Sequence, residues 1–397
     1  MERPVMMCMK KILIFSSDYG EGHKQAAHAL NQETKVFSEP SQIQVMDFMQ
    51  LVHPVMNPLF RTMFLKSISK FPSLYGFLYT KTSNLQLSHD MAKWSLFYAR
   101  KVINYIDQFK PDVIVSTFPF ASGCLSGLKS KGFVKAPIVT VITDFAHHRV
   151  WIHPYTDQYL VGAKSVADYL MNCGVDESKI SITGIPIRKE EHLPGSKPFL
   201  KKRFELDPHK PVVLVMAGAY GLFGENMFTV LEEMAELPVQ FVIVCGHNRK
   251  LYLSLLKKVP SGAINIKILG YTIEIMEYMF IADLLISKPG GLTISEAAAN
   301  ELPMLLFQSI PGQEEDNARF LLQNGAAKMA SNPKELMKYL QLLMENKMIL
   351  VQMKKNMRKL QKRNAAANGM KVILQLAQIG TSMEEVDHTA FVEQTTY

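Results

Sequence analysis

Several short stretches carry side chains fit for bond-making chemistry. Residues 19–23, Y-G-E-G-H, end on His23 after two glycines. An imidazole titrates near neutral pH, so it suits proton abstraction from a hydroxyl. The other reading of His23 is a helix N-terminal cap residue, and the pattern by itself leaves both open. Residues 141–151, V-I-T-D-F-A-H-H-R-V-W, place Asp144 at the end of an apolar run. A carboxylate at a strand's carboxyl end suits a catalytic or orienting role. His147 and His148 follow it, but adjacent side chains do not turn easily toward one ion and no further ligands cluster nearby, so no metal site is expected.

The second half of the chain offers a different chemistry. Residues 217–221, A-G-A-Y-G, residues 287–297, S-K-P-G-G-L-T-I-S-E-A, and residues 311–317, P-G-Q-E-E-D-N, each follow an apolar run. Gly218, Gly221, Gly290 and Gly291 let backbone N–H groups approach a diphosphate, and a helix starting there favours negative charge. Glu296 is an acid suited to the vicinal hydroxyls of a ribose. Gln313, Glu314 and Asn317 are polar groups suited to sugar hydroxyls. Each loop alone is also an ordinary strand–helix turn. Three in series point to a nucleotide-sugar site. The chain contains no D-x-D, the pair that holds a divalent ion in metal-dependent enzymes of this substrate class. Helix dipoles and backbone donors would then have to stabilise the leaving diphosphate.

The elements that position these groups follow from periodicity. Residues 11–16, 43–46, 113–116, 138–142, 158–161 and 180–183 are short apolar runs, most of them separated by amphipathic stretches. Proline and glycine punctuate a charged segment over residues 185–210. A second series follows at 212–216, 240–245, 264–269, 284–287 and 304–307. Alternating strands and helices predict two open parallel-sheet α/β domains. Residues 333–379 read as helical, and Lys354, Lys355, Arg358, Lys359, Lys362 and Arg363 crowd their polar face. A solvated helix face and contact with phospholipid both remain open for that run.

Composition sets the outer limits. Hydrophobic residues make up 48% and charged residues 20% of 397, enough apolar material for two cores and too much for a disordered chain. The net charge of +8 suits nucleic acid, phosphorylated ligands or an anionic membrane face, but no recognisable nucleic-acid module is present. Cys8, Cys124, Cys173 and Cys245 lie far apart, as in a reducing cytosol. No apolar run approaches the ~20 residues of a membrane span, and the first residues are too polar for a signal peptide. Between Asp47 and Asp90 no acidic residue occurs. Phe60, Phe64, Phe71, Tyr75 and Phe77 interleave there with Arg61, Lys66 and Lys70. That mixture suits an amphipathic element on anionic lipid, or a core helix pair with snorkelling lysines.

Taken together, Y-G-E-G-H-x-x-A-A, the T-D-F stretch with W-I-H-P, T-G-I-P-I at 183–187, M-A-G-A-Y-G, V-C-G-H-N at 244–248, K-P-G-G-L-T-x-S-E-A and P-G-Q-E-x-x-N-A resemble the processive diacylglycerol glucosyltransferases of Gram-positive bacteria and the plant monogalactosyldiacylglycerol synthases. The resemblance runs from about residue 11 to about residue 376. It implies a GT-B fold, two Rossmann-like domains facing each other across a cleft. Residues 1–190 would take the lipid acceptor and dock on the membrane, and 191–364 would hold the UDP-sugar. A helix at about 365–380 would cross back to the first domain, and the tail 381–397 has no assigned role. The resemblance implies inverting, metal-independent hexosyl transfer with no cofactor, at the inner face of the cell membrane. Its partners would be a UDP-sugar, a lipid acceptor and an anionic surface.

By position, His23 and Asp144 would activate the acceptor hydroxyl, with Gly22 shaping the loop. Gly218 and Gly221 would face the diphosphate, Gly246 and Asn248 line the donor cleft, and Tyr271 lie where uracil docks. Gly290, Gly291 and Thr293 would contact phosphate, Glu296 the ribose, and Gln313, Glu314 and Asn317 the hexose. The acid-free aromatic segment would be the membrane-docking region. His247 departs from the family, whose close members commonly carry Lys or Arg there. Two other classes share the architecture or its loops: a UDP-sugar 2-epimerase, which needs no lipid, and a non-catalytic UDP-sugar sensor, which would not depend on His23.

Overall fold

A computed structural model describes residues 9–33, 41–70, 72–82, 91–188, 195–216, 230–260 and 262–378. They fall into two units, which change over at residues 189/190 and 362/363. In the first unit six strands pair in parallel: β1 (Lys10–Ser16), β2 (Ser41–Asp47), β3 (Val113–Ser116), β4 (Ile138–Val141), β5 (Gln158–Leu160) and β6 (Ile180–Ser181). Their order is β2-β1-β3-β4-β5-β6. Strands as short and apolar as V-I-V-S and I-V-T-V are buried throughout, as a parallel sheet covered on both faces requires. The period of two sorts β1 between two cores. Leu13 and Phe15 pack with Val102, Ile106 and Leu125 on one face. Ile12 and Ile14 pack on the other with Leu30, Met370, Ile373 and Ala377. The helix at 365–378 therefore covers the first sheet, although the second unit precedes it in the chain.

The second unit repeats the plan with β7 (Val212–Met216), β8 (Gln240–Val244), β9 (Ile266–Leu269), β10 (Leu284–Ser287), β11 (Met304–Phe307) and β12 (Ala327–Ala330), again all parallel. The order is β12-β11-β10-β7-β8-β9. Val213, Val215, Phe241, Ile243, Ile286 and Leu305 form its core with helix residues such as Leu255, Leu336 and Leu340. The sequence pattern does not predict β12. Its A-K-M-A has no β-branched or aromatic residue, and local propensity favours a helix. Pairing with β11 makes it a strand at the sheet edge.

Each sheet reverses its order once, between β1 and β3 in the first and between β7 and β10 in the second. In open α/β sheets ligands bind in the crevice beyond the carboxyl ends of the strands at such a reversal. The loops after β1, β3 and β10 occupy these places.

Candidate active site

His23 stands at the first reversal. It is the third residue of helix Glu21–Glu33, which starts just beyond β1. Three strand ends hold it. After β3, the Thr117 hydroxyl donates to the His23 carbonyl at 3.0 Å. After β4, Thr143 Oγ1 lies 2.9 Å from His23 Nδ1. The rings of Phe118 and Trp151 meet the imidazole edge-on, with centroids 5.6 and 5.9 Å away. Burial by this apolar wall pulls the His23 pKa below the usual histidine value. The charge of Asp144 and a backbone hydrogen bond at Thr117 oppose the shift without cancelling it. Asp144 is itself buried, 4% exposed. The structure thus brings His23 and Asp144 together, and at neutral pH the imidazole is an uncharged base beside a buried acidic residue.

Thr143, Thr117, Phe118 and Trp151 are the members that residue-by-residue reasoning missed as part of the site. Thr143 left one signal, a polar residue beside Asp144 at the end of a buried strand. His148 and His147 go separate ways. His148 Nδ1 accepts from the Val150 backbone at 3.0 Å, and its Nε2 lies 3.1 Å from the Tyr79 carbonyl. His147 stacks on Tyr169 at 4.9 Å.

The loop before His23 meets the acid-free segment. The Tyr19 ring packs on Phe64 at 5.5 Å and on Phe118 at 6.2 Å. Phe64 belongs to helix Asn57–Lys70. The same helix turns Leu59, Phe60 and Met63 outward at 53, 38 and 60% exposure, with Arg61 exposed among them. These positions, with Met56, follow helical spacing. Phe77, in helix Pro72–Thr82, is exposed and carries Lys81 Nζ 4.8 Å over its ring. Of the remaining residues expected at a membrane, Phe71 and the side chains of Lys66, Lys70 and Tyr75 lie outside the described residues. Gly22 is half-buried in the first turn of the His23 helix.

At the second reversal, helix Gly291–Ala299 begins with Gly290 as a cap that has no side chain to offer its first N–H groups. Donors of this kind, at the positive end of a helix dipole, favour an anion. A Cβ on Gly290 would meet Thr293 Oγ1 at 3.5 Å, so Thr293 borders the same turn. Glu296 is half-buried on the second turn. Gly218 and Gly221, in the loop after β7, lie outside the described residues.

Around this turn the neighbouring strand ends add polar and aromatic groups. After β8, Gly246 adopts a positive φ of 56° and has open space where a side chain would stand. Asn248 Oδ1 caps helix Arg249–Lys258 through the Leu251 N–H at 3.0 Å, which fixes that oxygen to the fold. After β9, Tyr271 is 56% exposed and stacks on His247 with ring centroids 4.3 Å apart and planes 17° apart. After β11, helix Gln313–Gln323 starts with Gln313, and the Glu314 carboxylate accepts from the Ile310 N–H at 2.7 Å. Asn317 is 1% exposed and donates from Nδ2 to the Pro289 carbonyl at 3.0 Å. It ties the glycine turn to the last loop.

Residues 23–187 match the monogalactosyldiacylglycerol (MGDG) synthase family, and residues 213–371 match the glycosyltransferase family 28 C-terminal domain. A processive diacylglycerol beta-glucosyltransferase of Bacillus mycoides is 32% identical over 365 residues, covering 92% of this chain and 93% of that protein. Among solved structures, MurG of Acinetobacter baumannii superposes with a TM-score of 0.61 at 15% identity, over 92% of this chain and 99% of that one. A UDP-GlcNAc 2-epimerase of Neisseria meningitidis does so at 0.58 and 14%, over 92% and 100%. At those identities the likeness speaks for the fold, the two-unit α/β architecture called GT-B. The match that carries the family is the one to the Bacillus protein: the chain is a glycosyltransferase and belongs to the processive diacylglycerol beta-glucosyltransferase family.

Proposed function

We propose that this protein transfers glucose, with inversion and without a metal ion, from UDP-glucose to the hydroxyl of diacylglycerol. The observation that carries the reading is the neutral His23 bonded to Thr143 beside the buried Asp144. With Nδ1–H donated to the Thr143 hydroxyl, Nε2 keeps its lone pair. That nitrogen takes the proton as the acceptor oxygen attacks the anomeric carbon. The bond from that carbon to the diphosphate breaks, and UDP leaves with the electron pair. Asp144 stabilises the imidazolium that results. The uncapped turn at Gly290 and Gly291 receives the negative charge of the leaving diphosphate, as a divalent ion would elsewhere. Glu296 takes the ribose, the exposed His247–Tyr271 pair offers a stacking surface to the uracil, and Gln313 and Glu314 take the hexose. Exposed Leu59, Phe60 and Met63 support a peripheral contact of the first unit with the inner face of the cell membrane. Among the described residues no helix is long and apolar enough to cross it.

The test is incubation with labelled UDP-hexoses and diacylglycerol in anionic micelles, with EDTA present. Label in the organic phase from UDP-glucose is expected. Label that stays in water, with the nucleotide sugar epimerised or merely bound, would sink this reading in favour of an isomerase or a sensor.

A further inference from the structure

Residues 346–383 contain no acidic residue. Within them, helix Lys347–Leu360 lies on the second unit with a divided surface. Met353 and Met357 are buried, and Ile349 and Leu350 pack on the core. The opposite face is exposed. Met348, Val351, Lys355 and Lys359 fall three and four residues apart and form one outward stripe. Met348 is 76% exposed and Val351 45%. Lys347, Lys354 and Lys362 flank the stripe, all exposed. Arg358 is held by Glu301 through two hydrogen bonds of 2.7 and 2.8 Å. None of Lys347, Lys354, Lys355, Lys359 and Lys362 forms a salt bridge among the described residues.

The neighbourhood adds to the crowding. Burial has the largest effect on Lys197, followed by the opposite charge of Asp283; Lys354 and Lys201 act on it as like charges and Glu301 as a further opposite one. Lys197 starts helix Lys197–Arg203, which exposes Phe199 at 55%. A cation at a helix C-terminus is ordinary. Five lysines without a salt bridge among the described residues, gathered around protruding apolar side chains, carry more positive charge than the nearby Glu301 and Asp283 balance, which a solvated face does not require. An anionic surface relieves the repulsion and receives the apolar tips.

We propose that the outward face of helix Lys347–Leu360 is a second membrane contact, made by the donor-side unit with an anionic phospholipid surface. The choice of a lipid partner rests on the lipid-acceptor reading above. Met348 and Val351 favour it over a nucleic acid, which offers no apolar layer for them. The contact is electrostatic in its reach and weakens as salt rises.

The experiment uses the full chain and vesicles of phosphatidylcholine with and without phosphatidylglycerol. Two variants are compared with wild type: K354Q/K355Q/K359Q/K362Q, and L59S/M63S in the first unit. Flotation of wild type should require the anionic lipid and fall with added salt. The four-glutamine variant should lose about 1,000-fold in partitioning. It should keep glucosyl transfer to a short-chain diacylglycerol dispersed without vesicles, since none of its lysines belongs to the site. A four-glutamine variant that floats as well as wild type overturns the proposal, whatever L59S/M63S does. So does a wild type that never floats, or a variant that loses binding only to double-stranded nucleic acid. The dispersed-acceptor assay of wild type tests the lipid-acceptor reading separately, so the two failures are distinct.

Discussion

Thr143 Oγ1 lies 2.9 Å from His23 Nδ1, joining the end of β4 to the first turn of the helix that leaves β1. The bond crosses 120 residues of sequence, and Thr143 is 3% exposed. With the proton on Nδ1, the Thr143 hydroxyl accepts the hydrogen bond and Nε2 is left as the free base. Replacing Thr143 with valine keeps the shape and removes the partner, leaving a buried ring nitrogen unsatisfied at a cost of about 1–3 kcal/mol. Thr143→Val is expected to lower kcat about 10- to 100-fold with little change in the KM for the donor. Thr143→Ser restores the hydroxyl and should recover most of the rate. Equal losses in both variants would reduce Thr143 to a packing residue.

Asp144 acts on the same ring through its charge, and the sign of that effect can be tested. Burial lowers the His23 pKa, and Asp144 raises it part of the way back. In the proposed mechanism the base is the neutral imidazole, so the acid limb of kcat/KM should lie below the ordinary histidine value near 6.5. Asp144→Asn removes the raising influence. Its acid limb should therefore move to lower pH, while turnover falls because the imidazolium loses its counter-charge. A limb that moves upward would mean that Asp144 does not act on His23 by its field.

At the second reversal the glycine turn gives a cleaner substitution than most. Gly290 has φ −70° and ψ 140°, a conformation open to any residue. A Cβ there meets only Thr293, at the ordinary distance of 3.5 Å. Gly290→Ala should fold and melt like the wild type, yet bind UDP about 10-fold more weakly by calorimetry, because the methyl stands where the diphosphate approaches the N–H groups. Glu296→Ala should also weaken UDP. Unchanged affinity in both would take the diphosphate and ribose away from this turn.

Much of this was legible in the sequence because parallel sheets write it plainly. Val113–Ser116, Leu284–Ser287 and Met304–Phe307 are apolar runs that coincide with their strands. The chemistry-bearing loops follow strands by one consistent rule. What was not legible lies in pairings between distant segments. Ala327–Ala330 becomes a strand through β11 and not through its own residues. The bond from Asn317 to the Pro289 carbonyl ties P-G-Q-E-E-D-N to a turn 28 residues earlier, which neither segment announces. Thr143 is inconspicuous beside Asp144 until β1 and β4 share a sheet. Propensity and spacing report what a segment does alone; they carry no information about which strand end will meet which helix start.

His153 makes the last case, because its burial has a measurable consequence for stability. It is 5% exposed, and neither ring nitrogen makes a well-formed hydrogen bond. Its ring packs so closely on helix Pro119–Ser130 that a Cβ at Gly123 would stand 3.0 Å from it. Burial pushes its pKa down to about 4, and the nearby backbone of Val150 and Pro119 offsets this only in part. The unfolded chain takes up the proton near pH 6.5, and the folded one resists it until about 4. The contribution to stability is therefore complete above pH 6.5 and is lost progressively as the pH falls toward 4. Over that window the first unit should lose about 3 kcal/mol from this group. His153→Phe has no proton to take up and should flatten that part of the profile, read as urea midpoints between pH 4 and 7. A variant whose midpoint falls with acid as steeply as the wild type's would place the acid sensitivity in another buried group, His23 first.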